Sequence, residues 1–208
     1  MRHIPGIDMQ VYVGKAILPV VDELAGLRIA VFREWPYLYD GDRGYERDYL
    51  AAYARSPRSI CVVARDESGA VIGASTGIPL ADDGEVFHQP FVERGIPLDD
   101  VFYFGESVVL APWRGKGVGH AFFDAREAHA RATGSFRLAA FCSVHRDPGD
   151  PRKPPVVRRN DAFWLGRGYK PVTGMSCTLS WKEPGEAAPV PHVLHVWMRE
   201  LDRAGDRA

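Results

Sequence analysis

Apolar residues recur with two distinct periods along this chain, and the changes of period divide it into strands and helices. Met9 to Ile17 reads as a strand, and Leu18 to Glu34 as a helix with Val20, Leu24, Leu27 and Val31 on one face. Trp35-Pro36 stops that helix. A polar helix from Tyr45 to Arg55 ends near Ser56-Pro57. Ile60 to Arg65 and Val71 to Pro79 then read as a hairpin joined by residues 66–69. Residues 84–100 form an irregular or partly helical connection, followed by a strand from Val101 to Leu110 and a helix from Gly117 to Thr133 that Gly134 ends. A strand from Phe136 to Val144, a Pro-rich loop over 146–158 and a short helix near Asn160 to Arg167 come next. Strands at Lys170 to Lys182 and Val193 to Leu201 complete the series, and residues 202–208 read as a frayed tail.

Composition narrows the class. The 208 residues are 46% hydrophobic and 25% charged, which suits one core and leaves no room for a second full domain. A formal net charge of -1 argues against nucleic acid as a partner, because no basic excess is available to release counterions. Cys61, Cys142 and Cys177 sit in apolar runs without metal-ligand or paired spacing, so they read as reduced core residues and no metal is expected. No apolar signal stretch opens the chain, and no run approaches the roughly 20 residues that span a bilayer. The expected location is the cytoplasm, without a membrane partner.

The most chemical segment is residues 106–121, ESVVLAPWRGKGVGHA, where an apolar strand passes through Pro112 into a glycine-spaced turn that opens a helix. Gly115, Gly117 and Gly119 let the backbone curl and leave amide hydrogens free at the positive end of the helix dipole, a cradle for a diphosphate. Two commoner phosphate loops fail here. The P-loop pattern needs a Gly ahead of Gly-Lys-Ser/Thr, but Leu110 and Gly117 hold the Gly and Ser/Thr positions. The dinucleotide fingerprint needs G-x-G-x-x-G and an acidic residue about 20 positions on, whereas the spacing is G-x-G-x-G and position 139 is Ala. What matches is Arg/Gln-x-x-Gly-x-Gly/Ala, read as Arg114, Gly117 and Gly119. On that motif the chain resembles the GCN5-related N-acetyltransferases, and the order of its elements from 9 to 201 is similar to theirs.

The resemblance implies an α/β fold: a mixed, mostly antiparallel sheet with helices on both faces, in one domain spanning 9–201. The sheet would splay between its fourth and fifth strands, here 101–110 and 136–144, to admit acetyl-CoA on one side and an amine acceptor on the other. The coenzyme A site would comprise Val108, Val109, Leu110, Arg114, Gly115, Lys116, Gly117, Val118, Gly119 and His120. A backbone amide at a strand bulge near Val108 to Leu110 would polarise the thioester oxygen.

An alkyl amine is only about one part in 2,500 neutral at pH 7, a handicap of roughly 4.6 kcal/mol, so a proton acceptor is needed. Glu106, desolvated on an apolar strand, is the candidate base, acting directly or through water. The alternative is a buried Glu neutralised by an arginine such as Arg137. The family often protonates the departing thiolate with a tyrosine on the late helix, but Trp164 holds that position here. Indole cannot supply the proton, which leaves Tyr103, His145 or solvent. The family's asparagine is replaced by Val157, and Asn160 reads as a helix cap. Acceptor contacts are expected from Tyr37, Tyr39 and Asp40, while Trp35 and Phe32 serve equally well as an aromatic plug. The loop after His145 is long enough for a lid, whose Arg152, Lys153, Arg158 and Arg159 either meet phosphate or stay solvated.

The expected activity is therefore acetyl transfer to an amine of a small molecule or peptide. A hydroxyl or thiol acceptor, and homodimerisation, are left open. A non-catalytic acyl-CoA sensor of the same fold is the alternative, and a purely structural protein would have no use for the glycine turn.

Overall fold

A computed structural model describes residues 3–133, 136–157 and 159–201; Gly134, Arg158 and the expected tail lie outside the described residues. The chain runs β1 (Ile7–Val13), α1 (Val21–Phe32), α2 (Arg43–Arg55), β2 (Ile60–Asp66), β3 (Val71–Pro79), α3 (Glu85–Val92), β4 (Val101–Tyr103) and β5 (Ser107–Val109). It continues with α4 (Val118–Thr133), β6 (Leu138–Val144), α5 (Asp161–Gly166), β7 (Lys170–Trp181) and β8 (Val190–Glu200). The strands form a sheet ordered β1-β2-β3-β4-β6-β8-β7, with β5 paired to β3 alone. Among the described residues every pairing is antiparallel except β4 with β6.

Both faces of the sheet are covered, which explains why β2 and β3 are buried almost without interruption. Leu24, Leu27, Leu50, Tyr53 and Phe91 of α1, α2 and α3 pack on one face against Val63, Ile78, Tyr103 and Ala140. Val118, Ala121, Phe122, Phe123 and Ala130 of α4 cover the other against Val62, Phe102, Phe104 and Phe141. Among the described residues no helix is long and apolar enough to cross a membrane.

Several boundaries differ from expectation for local reasons. The first strand stops at Val13 rather than Ile17, because Gly14 takes a left-handed φ of 52° and residues 14–20 coil into a 3-10 helix. The helix that follows is accordingly shorter at both ends, and the connection over 84–100 contains the ordered helix α3.

The strand expected over 101–110 is broken. Tyr103 pairs with Ile78 and Ser107 with Ser75, so four steps on one strand match three on the other, a β-bulge at Phe104 to Glu106. The bulge is thus earlier than the expected site at Val108 to Leu110, whose strand residues pair regularly with β3. Gly105 makes it possible: a Cβ there would sit 2.0 Å from the Tyr53 hydroxyl and 2.7 Å from Thr76 Oγ1. Arg126, buried on α4, ties the bulge down by donating to the carbonyls of Thr76 and Glu106 at 3.1 and 3.0 Å and to Ser107 Oγ at 2.8 Å. Burial lowers its guanidinium to about 10, which still leaves it charged at neutral pH.

Candidate active site

The bulge opens the sheet. The Phe104 amide still reaches the Ala140 carbonyl at 2.8 Å, but beyond that point β5 follows β3 while β6 follows β8. Leu110 donates to Ile72 and the Glu106 carbonyl accepts from Thr76, so alternation turns the backbone of Ser107 and Val109 away from β3. By the same alternation Cys142 and Val144 turn their backbone away from β8, toward this gap. The result is a wedge between two unpaired strand edges.

At one end of the wedge lies the glycine turn. Gly115 and Gly117 have φ of 82° and 93°, a conformation that side-chain-bearing residues avoid. The first amide bonded within α4 is that of Ala121, to the Gly117 carbonyl at 3.2 Å, so the amides of Val118, Gly119 and His120 are free of helical partners. No acidic residue stands in the first turn to compete for them. Lys116 is exposed and rests over the Trp113 ring at 4.3 Å. Arg114 folds back, with Nε donating to the Val109 carbonyl at 2.8 Å and Nη1 2.7 Å from Glu34. Val108 and Val118 are buried as core side chains, so only their backbone can face a ligand. His120 sits against Phe163, ring centroids 4.8 Å apart.

On the α1 face stands Glu106, 8% exposed. Its partner is Arg28 rather than Arg137, which immediately precedes β6 and stands beside Asp100, 64% exposed. Arg28 Nη1 is 2.7 Å from Glu106 Oε2 without hydrogen-bond alignment, and Arg28 Nε donates to Glu46. Burial works against the guanidinium charge, but Glu106, Tyr49 and Glu46 outweigh it and hold Arg28 firmly protonated. The Tyr49 hydroxyl donates to the same Oε2 at 3.1 Å and lies 3.0 Å from the Tyr53 hydroxyl. Burial pushes the phenols of Tyr49, Tyr53 and Tyr103 well up, so they remain neutral donors. None of these protein groups bonds Glu106 Oε1.

Tyr103 is 2% exposed on the same face, packed on the Phe87 ring with its hydroxyl toward Cys142. His145 is exposed, its ring 4.9 Å from His195, and alternation from Phe141 puts it on the opposite face. The structure therefore brings Tyr103, but not His145, to the face that holds Glu106. Trp164 packs on Phe141 and Trp197. Asn160 does precede α5, yet its side chain makes no capping bond.

The segment expected to meet the acceptor is held in place from behind. Arg146 donates to the carbonyls of Pro36 and Tyr37 at 2.5 and 2.6 Å, and Trp181 Nε1 reaches the Tyr37 carbonyl at 2.9 Å. Tyr37 packs between Phe32 and Trp181, and burial pushes its phenol up to about 12. Tyr39 is pushed up as well, by burial and by nearby Glu46. Asp40 is occupied by Lys182 and Arg33, at 3.2 and 3.5 Å, which leaves it little charge for a ligand.

The loop expected as a lid is pinned down. Arg146 and Arg152 both bond the buried Glu183, Arg159 pairs with Asp161, and Lys153 reaches the Pro148 carbonyl. Burial disfavours the Glu183 charge, but the two arginines hold its carboxyl below the usual range. Sequence reasoning missed Arg28, Arg126 and Glu183. It also missed the proximity of Cys142 to Cys177, whose sulfurs are 3.8 Å apart across β8.

No protein-family model and no curated protein matches this sequence. Solved structures do match over nearly the whole chain. A GCN5-related N-acetyltransferase from Kribbella flavida is similar at 22% identity and TM-score 0.54, covering 93% of this chain and 98% of its own. An N-acetyltransferase from Staphylococcus aureus Mu50 matches at 12% identity and TM-score 0.58, with 94% and 99% covered. A phosphinothricin acetyltransferase from Sinorhizobium meliloti, solved in complex with AcCoA, matches at 14% identity and TM-score 0.55, with 98% and 92% covered. The chain thus has the fold of the GCN5-related N-acetyltransferases. The motif at Arg114, Gly117 and Gly119 falls where that fold opens, at the start of α4.

Proposed function

We propose that this protein transfers an acetyl group from acetyl-CoA to an amine of a small molecule or peptide, inside the wedge. The observation that carries the reading is the wedge itself, which ends at the free amides of α4 and opens on one face to Glu106. The amides of 118–120, with Lys116 beside them, are suited to hold the diphosphate. The Val109 amide, turned away from β3, is the donor available to a thioester oxygen.

Glu106 is the proton acceptor in this reading. Arg28 and Tyr49 fix one carboxylate oxygen, and the other takes the proton of the attacking ammonium directly or through water. The nitrogen–carbon bond then forms and the carbon–sulfur bond breaks, and the second proton lost by the nitrogen passes to the departing thiolate through Tyr103 or solvent. Tyr37 and Tyr39 shape the acceptor side, and alignment of the two substrates supplies much of the remaining acceleration.

The test is thiol release from acetyl-CoA over pH 6–10 with Glu106→Gln. A fall in kcat/KM of about 10²–10³-fold with acetyl-CoA affinity retained is expected. Undiminished transfer across that range, with the fold intact, would show that Glu106 is not the base.

A further inference from the structure

Beside the acceptor segment lies a buried titratable group that acetyl transfer does not use. His192 of β8 is 8% exposed, and its ring stacks on Trp181 of β7 with centroids 3.7 Å apart. Its Nε2 stands 3.4 Å from Glu183 Oε1, and both atoms are sealed from solvent without a formed hydrogen bond. A carboxylate oxygen has no proton to give, so the pair closes only when Nε2 carries one. The ring's other hydrogen bond goes to the Trp181 backbone, so a ring bonded on both sides is the charged imidazolium.

Two arginines face the same carboxylate. Arg146 Nη1 approaches Glu183 Oε1 at 2.5 Å, while Arg152 bonds Oε2 and pairs with Asp150 at 2.7 Å. Burial and the two guanidinium charges hold the imidazole below its usual range, so it becomes charged only in acid. Against burial the arginines hold Glu183 low, and Arg152 holds Asp150 low, so both carboxylates stay ionised there. Farther out, Lys182 and Arg33 share Asp40. A proton on His192 therefore sets three cations against Glu183 and Asp150, and one cation has to yield. Arg146 is the harder to move, because its side chain is 10% exposed and also holds the carbonyls of Pro36 and Tyr37. Arg152 is 45% exposed and keeps Asp150 when it swings outward. Among the described residues Arg152 also makes the one hydrogen-bonded tie from residues 147–157 to the rest of the protein. The other bonds of that stretch are internal, such as the Asp150 amide to the Asp147 carbonyl at 3.1 Å.

We infer that His192 is a proton-operated latch on the loop over 147–157: Glu183 holds the loop down through Arg152, and a proton on His192 takes Glu183 over and frees it. The acceptor segment stays clasped, because Trp181 Nε1 still bonds the Tyr37 carbonyl and the Asp40 amide still bonds the Lys182 carbonyl. The test follows tryptic cleavage between Arg152 and Lys153, which needs a free Arg152 side chain. Mass spectrometry gives the rate from pH 8 to 5, each value divided by that of a free peptide of residues 147–157, and NMR gives the titration of the His192 imidazole. Each pH unit above the folded pKa multiplies the charged fraction by about ten, so the relative rate should rise at least about tenfold, with its midpoint at that of His192. His192→Phe, which keeps an aromatic ring on Trp181 but takes no proton, should stay slow throughout, and Glu183→Gln should be fast already at pH 8. A relative rate independent of pH, a midpoint away from that of His192, a rise that survives in His192→Phe, or a slow Glu183→Gln would each overturn the inference. If either variant fails to fold by circular dichroism, the agreement or disagreement of the two midpoints decides. No activity enters these readouts, so their outcome is independent of the acetyl-transfer reading.

Discussion

Replacing Arg28 with methionine keeps most of its length and removes the one cation between two buried carboxylates. The side chains of Arg28, Glu46 and Glu106 are 9%, 1% and 4% exposed, so neither carboxylate can turn to water without moving α2 or the bulge. Removing one partner of a buried ion pair costs about 3–5 kcal/mol, and the loss of the guanidinium over the Tyr49 ring, 4.2 Å from its centroid, adds to this. In a chain of 208 residues, where 1 kcal/mol moves Tm by about 2–4 °C, the expected fall is about 6–20 °C at pH 7.5. The variant carrying Arg28→Met, Glu46→Gln and Glu106→Gln together should recover at least half of it, because no buried charge remains. Thermal melts by circular dichroism at pH 7.5 measure both. A loss under about 1 kcal/mol in Arg28→Met, or a triple variant no more stable than Arg28→Met, would refute the reasoning.

Asp83 supplies a second pH test. Burial raises its carboxyl from the ordinary 3.8 to about 6, so between those values the folded protein holds the proton more tightly than the unfolded chain. Its cost to stability therefore develops as pH rises from about 4 to 6. Asp83→Asn should melt higher than the parent at pH 7.5 and equal it near pH 4, and an equal gap at both would contradict this. Gly105→Ala places a methyl 2.0 Å from the Tyr53 hydroxyl and should cost about 1–3 kcal/mol in a urea melt, partly recovered by adding Tyr53→Phe. Arg146→Ala removes one of the two donors on the Tyr37 carbonyl and the guanidinium bond to the Pro36 carbonyl, so KM for the acceptor should rise several-fold in steady-state assays with acetyl-CoA affinity held; the reverse pattern would detach this arginine from the acceptor side.

Periodicity revealed nearly every element, and β3 falls on the expected residues, because a two-sided sheet leaves long apolar runs between clear turn signals. The splay was legible as well, through the glycine turn and the resemblance it carries. The bulge was not located correctly, since Phe102, Tyr103 and Phe104 are uniformly apolar and only Gly105 marks the break. The partner of Glu106 was misread because Arg28 is far away in sequence. It does, however, sit on the stripe of Leu24, Leu27 and Val31, and an arginine on the buried face of a helix calls for a buried acid. Arg126, between Phe122 and Ala130 on α4, carries the same signal. The pinning of the long loop depends on Glu183, which lies beyond β7 and has no local pattern to betray its burial.

The most direct test of the central claim is calorimetric titration with acetyl-CoA of the parent protein and of Gly117→Glu. That substitution sets a carboxylate, in a backbone conformation with φ of 93°, against the free amides of α4. Binding with Kd on the order of micromolar, abolished by the substitution, is the predicted result. No binding by the parent, or binding that Gly117→Glu leaves intact, would contradict the account.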